Sequence, residues 1–292
     1  MSQASINQIC IIGVGLIGGS LARALRQAGF CQEIIGGGRS SDNLKQAVAL
    51  GVVDRFQTDL AKAVADADMV VLAVPVGAIK PVLSAIKDKM KPNVILTDVG
   101  STKASVIADV KAILGHVPSG FVPGHPIAGT EKSGVAAAIA DLYKDRRVIL
   151  TPLSETDRNS TDLVRAMWEC TGAEVSEMSA EHHDEVLAAT SHLPHLLAFS
   201  LVDTLAQMDE QTEIFKFAAG GFRDFTRIAS SDPVMWHDIC LANHDAIMKI
   251  LDRFTTDLDE LKSALNNSDS SKILEIFKRA RAARDRYTQS EQ

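Results

Sequence analysis

Near the start of the chain, the stretch "CIIGVGLIGGSLA" (residues 10–22) sets Gly13, Gly15 and Gly18 in the order G-x-G-x-x-G. A β-branched run precedes it and a helix-forming run follows. The spacing alone is common, and a ligand-free strand–helix turn would also satisfy it. Its place at the head of an alternating β/α pattern makes it the signature of a turn that cradles a dinucleotide. Gly13 permits the tight turn, Gly15 lets the backbone approach a pyrophosphate, and Gly18 lets helix and strand pack closely. The helix opening at Leu16 and Ile17 offers free N–H groups and a positive dipole end to phosphates.

The first half continues that alternation. Apolar strands such as "EIIGG", "DMVVLAVP" and "NVILTDVG" are separated by helices such as "NLKQAVALG" and "TKASVIADVKAIL". Continuous apolar strands alternating with helices predict a parallel sheet covered on both faces. After about residue 180 the strands stop. Leu193, Leu196, Leu197, Leu201, Leu205 and Met208 follow three- and four-residue steps, as do Ile247, Ile250, Leu251, Phe254, Leu258, Leu261 and Leu265. That spacing marks helix faces. The expected class is therefore α/β, with an N-terminal Rossmann-type doubly wound parallel sheet over 1–180 and an all-helical domain over 181–292. No Pro/Gly/Ser linker separates them, which predicts a fixed junction with a cleft suited to a small molecule.

The formal net charge of −7 argues against a nucleic-acid partner, since phosphate contact needs clustered Lys and Arg. The basic tail "KRARAARDR" (278–286) reads as the solvated face of a last helix. Four scattered cysteines, Cys10, Cys31, Cys170 and Cys240, suggest a reducing cytoplasm rather than a disulfide framework. The N-terminus lacks the basic and apolar regions of a signal peptide. No apolar stretch of about 18 residues stands out, so no membrane span is expected.

The end of the second strand selects the dinucleotide. An acidic residue there would accept from the 2′-hydroxyl of NAD. The sequence "EIIGGGRSSDN" has Gly38 at that place, followed by Arg39, Ser40 and Ser41. An arginine and two hydroxyls suit a 2′-phosphate, which predicts NADP. Asp42, moving inward, would restore some NAD use.

A dinucleotide domain joined to a second domain implies hydride transfer, and the chemistry should lie on loops at the carboxyl ends of the later strands. "LTDVGSTK" offers Asp98, Ser101 and Lys103, and "VPGHPIAGTEKSG" offers His125, Thr130 and Glu131. A histidine between glycine and proline just after a strand is a candidate general base. "EHHDEVLAATSHLPH" adds His182, His183, Ser191, His192 and His195. No cysteine or carboxylate trio completes a metal set, so no metal is expected. "GGFRDFTRIASSDPVMWHD" adds Arg223 and Arg227, either of which would grip a carboxylate.

With these pieces together, the chain resembles the prephenate/arogenate dehydrogenases, the TyrA-type enzymes of tyrosine biosynthesis. "GVGLIGGSLA", "DVGSTK", "HPIAGTEKSG", "TSHLPH" and "FRDFTRIASSDPVMW" run in family order to residue 236. The resemblance implies oxidative decarboxylation of prephenate to 4-hydroxyphenylpyruvate, or of arogenate to tyrosine, with NADP+ or NAD+ taking hydride from ring C4. It also implies the catalytic histidine at His125, with Ser101 orienting it and the hydroxyl. Arg227 would pair with a substrate carboxylate, His183, Ser191 and His195 would line the pocket, and Thr130 and Glu131 would form a gate-like loop. An acidic contact from Glu131 would favour the ammonium of arogenate. The long apolar helices after residue 180 are expected to form a homodimer. The chain has no room for a fused mutase or a regulatory ACT domain, so tyrosine feedback would be competition at the active site. Two rival readings are a lysine-dependent reductase of the β-hydroxyacid or ketopantoate type, built on Lys103, and a non-catalytic NADP sensor.

Overall fold

The computed structural model describes residues 6–130, 132–209 and 211–290. Strand β1 (Ile6–Ile12) is β-branched and buried on both sides toward its end. It pairs in parallel with β2 (Cys31–Gly37) and with β4 (Met69–Leu72). Strands β3 (Arg55–Gln57), β5 (Ile95–Asp98) and β6 (Phe121–Val122) complete a parallel sheet in the order β3-β2-β1-β4-β5-β6. The order reverses between β1 and β4, so the loops after those two strands diverge and leave a crevice at their carboxyl ends.

Helices fill both faces of this sheet: α1 (Leu16–Ala28), α2 (Ser41–Ala49), α3 (Leu60–Val64), α4 (Ile79–Ile86) and α5 (Ala104–Leu114). The two sides of the sheet bury separate apolar clusters. One is built around Ile9, Ile11, Leu21 and Leu25, the other around Cys10, Ile12, Val70 and Leu72. The alternation along β1 sends successive side chains to opposite faces.

After β6 the chain turns at Pro123 into a second, three-stranded sheet of β7 (Gly124–Pro126), β8 (Arg147–Leu150) and β9 (Glu174–Glu177). Strand β7 runs antiparallel to β8 with His125 opposite Ile149, and β8 and β9 are parallel. Helix α6 (Arg158–Glu169) links the last two strands.

Among the described residues no strand follows Glu177. Helix α7 (Ala180–Leu187), a π-turn over Ala188–His192 and helix α8 (Leu193–Ala206) form one continuous helical run. Pro194 explains the π-turn, because it has no N–H to return to the carbonyl four residues back. By length and composition the run Ala180–Ala206 is apolar enough to cross a membrane, which corrects the expectation that no such stretch exists. The proline and histidines look like interruptions in sequence, yet the helix continues through them. A core helix meets the same description, and this one buries His183, Asp184 and His192 inside the protein. Short helices α9 (Gln211–Lys216) and α10 (Gly220–Thr226) precede a 3-10 turn at Arg227–Ser230, then α11 (Pro233–Ala242).

By compactness the chain divides into Met1–His244 and Asp245–Gln292. The second unit comprises most of α12 (His244–Asn266) together with α13 (Ser270–Ser290). Its turn is closed by the Asp269 N–H on the Ala264 carbonyl (2.9 Å), and Lys272 pairs with Glu260 at 2.9 Å.

Candidate active site

The glycine turn after β1 is packed as tightly as its spacing suggested. A Cβ on Gly13, whose φ is +98°, would lie 2.2 Å from the Ala73 carbonyl oxygen, and one on Gly18 would lie 2.2 Å from the Gly13 oxygen. Neither position tolerates a side chain. Gly15 differs, since a Cβ there would meet nothing within 4 Å. It caps α1 with no side-chain acceptor, so the first-turn N–H groups and the positive helix end are free for an anion. A cavity of about 470 Å³ adjoins this turn, lined among others by Gly13, Gly15, Gly38, Arg39, Ser40 and Pro75. These features fit a dinucleotide.

Leu16 packs into the core and Ile17 accepts the Tyr143 hydroxyl on its carbonyl (2.6 Å). Leu16 therefore has only its main-chain N–H to offer a ligand, whereas the Ile17 side chain is only half-buried. No carboxylate lines the cavity among the described residues. Arg39 is exposed at its rim, Ser40 caps α2 by accepting from the Asn43 N–H (3.3 Å), and Ser41 opens that helix. Asp42 faces solvent and pairs with Lys45 at 3.4 Å.

The loops after β5 and β6 converge on a second cluster. His125 on β7 is 8% exposed, and its Nδ1 lies 2.9 Å from His183 Nε2 on α7. His183 Nδ1 in turn lies 2.8 Å from Asp184 Oδ1. Asp184 also receives the N–H groups of Lys103 (2.8 Å on Oδ1) and Ala104 (2.9 Å on Oδ2). It thereby caps α5 with a negative charge, a favourable match to the helix dipole. Burial pushes the Asp184 carboxyl up, but the hydrogen bonds from His183, Lys103 and Ala104 outweigh it and hold the group ionised.

This geometry dictates the tautomers. Asp184 only accepts, so His183 carries its proton on Nδ1 and presents a lone pair on Nε2. His125 must then donate from Nδ1, which leaves its Nε2 unprotonated. Burial, reinforced by His183, Lys103 and His192, holds His125 well below the usual imidazole value. His183 is also lowered, chiefly by burial, against the opposing pull of Asp184.

Asp98 and Lys103 form a fully buried ion pair beneath His125. Lys103 Nζ also donates to the Gly124 carbonyl (2.6 Å), and Asp98 accepts from the N–H groups of Gly100 (2.8 Å) and Gly124 (3.2 Å). Burial lowers the Lys103 ammonium from its usual value, and the Asp98 charge opposes that shift.

A third group surrounds Trp236. His195 stacks on its ring with centroids 3.6 Å apart and donates from Nδ1 to the Ser191 carbonyl (2.9 Å). Burial lowers the His195 pKa, and the positive charge of exposed Arg227 adds to the shift. His192 meets the same indole edge-on and is lowered to about 4, chiefly by burial. Asn243 donates from Nδ2 to His192 Nδ1 (3.1 Å), so the His192 proton sits on Nε2. That N–H and the Trp236 indole N–H are buried and find no acceptor among the described residues.

The structure thus brings together His125, His183 and the loop carrying Ser101, and separately His195, Ser191 and the charge of Arg227. Ser101 is half-buried and makes no hydrogen bond to His125 among the described residues. Thr130 is exposed, with its hydroxyl accepting from the Lys132 N–H (3.2 Å). Glu131 lies outside the described residues. His182 and Arg223 are exposed. Sequence reasoning missed Asp184, Asn243 and Trp236. The adjacency of His183 and Asp184 in "EHHDE" was a signal for the first.

A dinucleotide cradle beside a buried histidine relay defines a nicotinamide-dependent dehydrogenase with an internal base. The prephenate dehydrogenase nucleotide-binding domain matches residues 21–177, and the prephenate dehydrogenase dimerization domain matches 179–279. The chain is 41% identical over 281 residues to cyclohexadienyl dehydrogenase of Zymomonas mobilis, covering 94% of each protein. It superposes with a TM-score of 0.91 on the prephenate dehydrogenase of A. aeolicus solved in complex with hydroxyphenyl propionate and NAD+, at 40% identity over 98% of this chain and 100% of that one. It superposes with a TM-score of 0.80 on the arogenate dehydrogenase of Synechocystis, at 29% identity over 96% and 99% of the two chains. The chain belongs to the prephenate dehydrogenase family. It is an NAD(P)-dependent prephenate/arogenate dehydrogenase, yielding 4-hydroxyphenylpyruvate or tyrosine.

Proposed function

We propose that His125 is the general base of this reaction and takes the proton of the C4 hydroxyl on Nε2. The observation that carries the reading is the relay His125–His183–Asp184, which ties down Nδ1 and leaves Nε2 as the one basic atom. NAD(P)+, held by the glycine turn, supplies the hydride acceptor. Burial of His125 keeps it neutral, so the base is competent before substrate arrives. As the hydroxyl becomes a carbonyl, the ring loses CO2 and aromatises. In this reading Ser101, on the neighbouring loop, orients the hydroxyl. The lysine-dependent alternative is disfavoured because Lys103 is fully buried, with its ammonium between Asp98 and the Gly124 carbonyl.

Arg227 pairs with a substrate carboxylate in this reading, next to His195 and Trp236. The buried donors of His192 and Trp236 add two N–H groups suited to substrate oxygens. Arg227→Ala is expected to raise KM by about tenfold or more, the scale of a lost charge-assisted hydrogen bond, with a smaller change in kcat. An unchanged KM would move the carboxylate contact elsewhere.

NADP+ is the favoured cofactor, supported by Arg39 at the cavity rim and by Asp42 facing away into solvent. Arg39→Ala is expected to lower kcat/KM with NADP+ about tenfold while sparing NAD+, the loss of a single ionic contact to phosphate. Equal losses with both would remove Arg39 from phosphate recognition. Glu131 favours arogenate over prephenate, with both used. Initial rates in the four combinations of prephenate or arogenate with NAD+ or NADP+ test the reading, and silence in all four with cofactor binding intact would refute it.

The dinucleotide domain spans 1–180 and the substrate and dimerisation domain 181–292. Leu201, Phe217 and Leu241 in the first unit, and Leu258, Leu265 and Phe277 in the second, are large apolar side chains left exposed. They suit a homodimer, which should sediment at twice the mass of one chain, and a monomer at micromolar concentration would contradict it. Four free cysteines agree with a cytoplasmic setting.

A further inference from the structure

The buried pair Asp98–Lys103 has no part in the chemistry above, yet it is the most thoroughly enclosed ion pair described here, both side chains being 0% exposed. Two charges taken out of water are tolerated only when further hydrogen bonds satisfy them. Here one of those bonds comes from the Gly100 N–H and the other two converge on a single residue, Gly124. Asp98 Oδ1 accepts the Gly124 N–H, and Lys103 Nζ donates to the Gly124 carbonyl. Both polar groups of that backbone unit are thus held by one pair.

Gly124 immediately precedes His125, at the point where the chain leaves one sheet for the other. Its own space is small, since a Cβ would lie 3.2 Å from the Asp98 carbonyl oxygen and 3.2 Å from Leu150 Cδ2. Strand β7 is three residues long, so its pairing with β8 alone gives little purchase on the orientation of His125. Lys103 reaches the other end of the relay as well, through its main-chain N–H on Asp184. One residue therefore links the base to the carboxylate that sets its tautomer.

We propose that Asp98 and Lys103 are positioning residues, a clamp on the Gly124–His125 peptide that fixes the aim of the His125 imidazole. The inference rests on His125 as the base. It has an electrostatic corollary. The groups that bear on His125 are His183 and Asp184 from α7, His192 from the π-turn, and Lys103 with Asp98 from the β5–α5 side. Among them the Lys103 ammonium helps to keep His125 neutral. Removing it raises the pKa of His125, so the base is protonated sooner as pH falls and the acid limb of the rate profile moves to higher pH.

The test compares Lys103→Met, the charge-balanced Asp98→Asn/Lys103→Met and Gly124→Ala, with folding checked by NADP+ titration. Both lysine variants are expected to lose kcat by about 10²-fold, the scale of a misplaced catalytic group. KM should hold, and the acid limb of kcat/KM should move upward in Lys103→Met and less in the charge-balanced variant, which also removes the opposing Asp98 charge. Gly124→Ala leaves both charges in place and should lower kcat without moving the limb. If Lys103→Met does not fold, the balanced variant and Gly124→Ala carry the test. Combining Lys103→Met with His125→Asn should cost nothing beyond His125→Asn alone, because the lysine acts through the histidine. Wild-type kcat and limb in the folded variants would overturn the clamp, as would additive losses or a change confined to KM. Full activity of His125→Asn would instead refute the base assignment itself, so the two failures are distinguishable.

Discussion

Replacing His125 by asparagine is expected to lower kcat by about 10²–10⁴-fold, the usual contribution of general base catalysis, while KM and cofactor affinity change little. Asparagine has similar polarity and can still donate to His183 Nε2, so the relay keeps a partner and the fold should survive. What it lacks is a basic atom at the position of Nε2. The loss should therefore fall on the chemical step, which marks an interaction made in the transition state rather than uniform binding. Steady-state rates at saturating substrate and cofactor check this. A kcat within a few-fold of wild type would place the base elsewhere.

Asp184→Asn should cost nearly as much without touching the substrate. The two oxygens of Asp184 accept from His183, Lys103 and Ala104. An amide must turn an NH2 group toward at least one of these donors. If it faces His183, the imidazole is driven to the opposite tautomer, with its proton on Nε2. His125 then accepts on Nδ1 and carries its own proton on Nε2, where the base is needed. A kcat loss of about 10²-fold or more is expected, approaching that of removing the base, and raising the pH will not restore it. If the amide faces Ala104 instead, the α5 cap is weakened, with a stability loss of about 1 kcal/mol. Thermal unfolding measured beside kcat separates the two. Wild-type kcat in an Asp184→Asn protein of unchanged thermal stability would show that the relay does not set the state of His125.

How much of this was legible in the sequence depends on the range of the interactions involved. The parallel sheet could be read because its strands are continuous apolar runs and its first turn needs glycine for steric reasons that hold within a few residues. His125 could be read because its motif is local. The strand that carries it could not. Gly-His-Pro has no β pattern, and it becomes β7 because Arg147–Leu150 lies beside it. Asp184 was hidden for a similar reason. Its carboxylate caps a helix 81 residues earlier in the chain, and nothing in "HHDE" reveals that α5 lacks an N-terminal acceptor of its own. Lys103 was visible as a charged residue near the chemistry. Its burial against Asp98 and Gly124 depends on three segments meeting, and that changes its reading from a possible proton donor to a structural cation. The helical run through Pro194 could be read from its three- and four-residue apolar steps, but the π-turn inside it could not, because it leaves no local pattern.

The most direct test of the account is the pH dependence of kcat/KM in the wild-type enzyme and in His125→Asn. A histidine held below its ordinary value is unprotonated at lower pH than a free imidazole. The wild-type rate should therefore persist below about pH 6.5, the unperturbed histidine value, and fall along an acid limb well beneath it. In His125→Asn the residual rate should lose that limb. A limb that persists unchanged in His125→Asn would contradict the account, because the group being protonated would then not be His125.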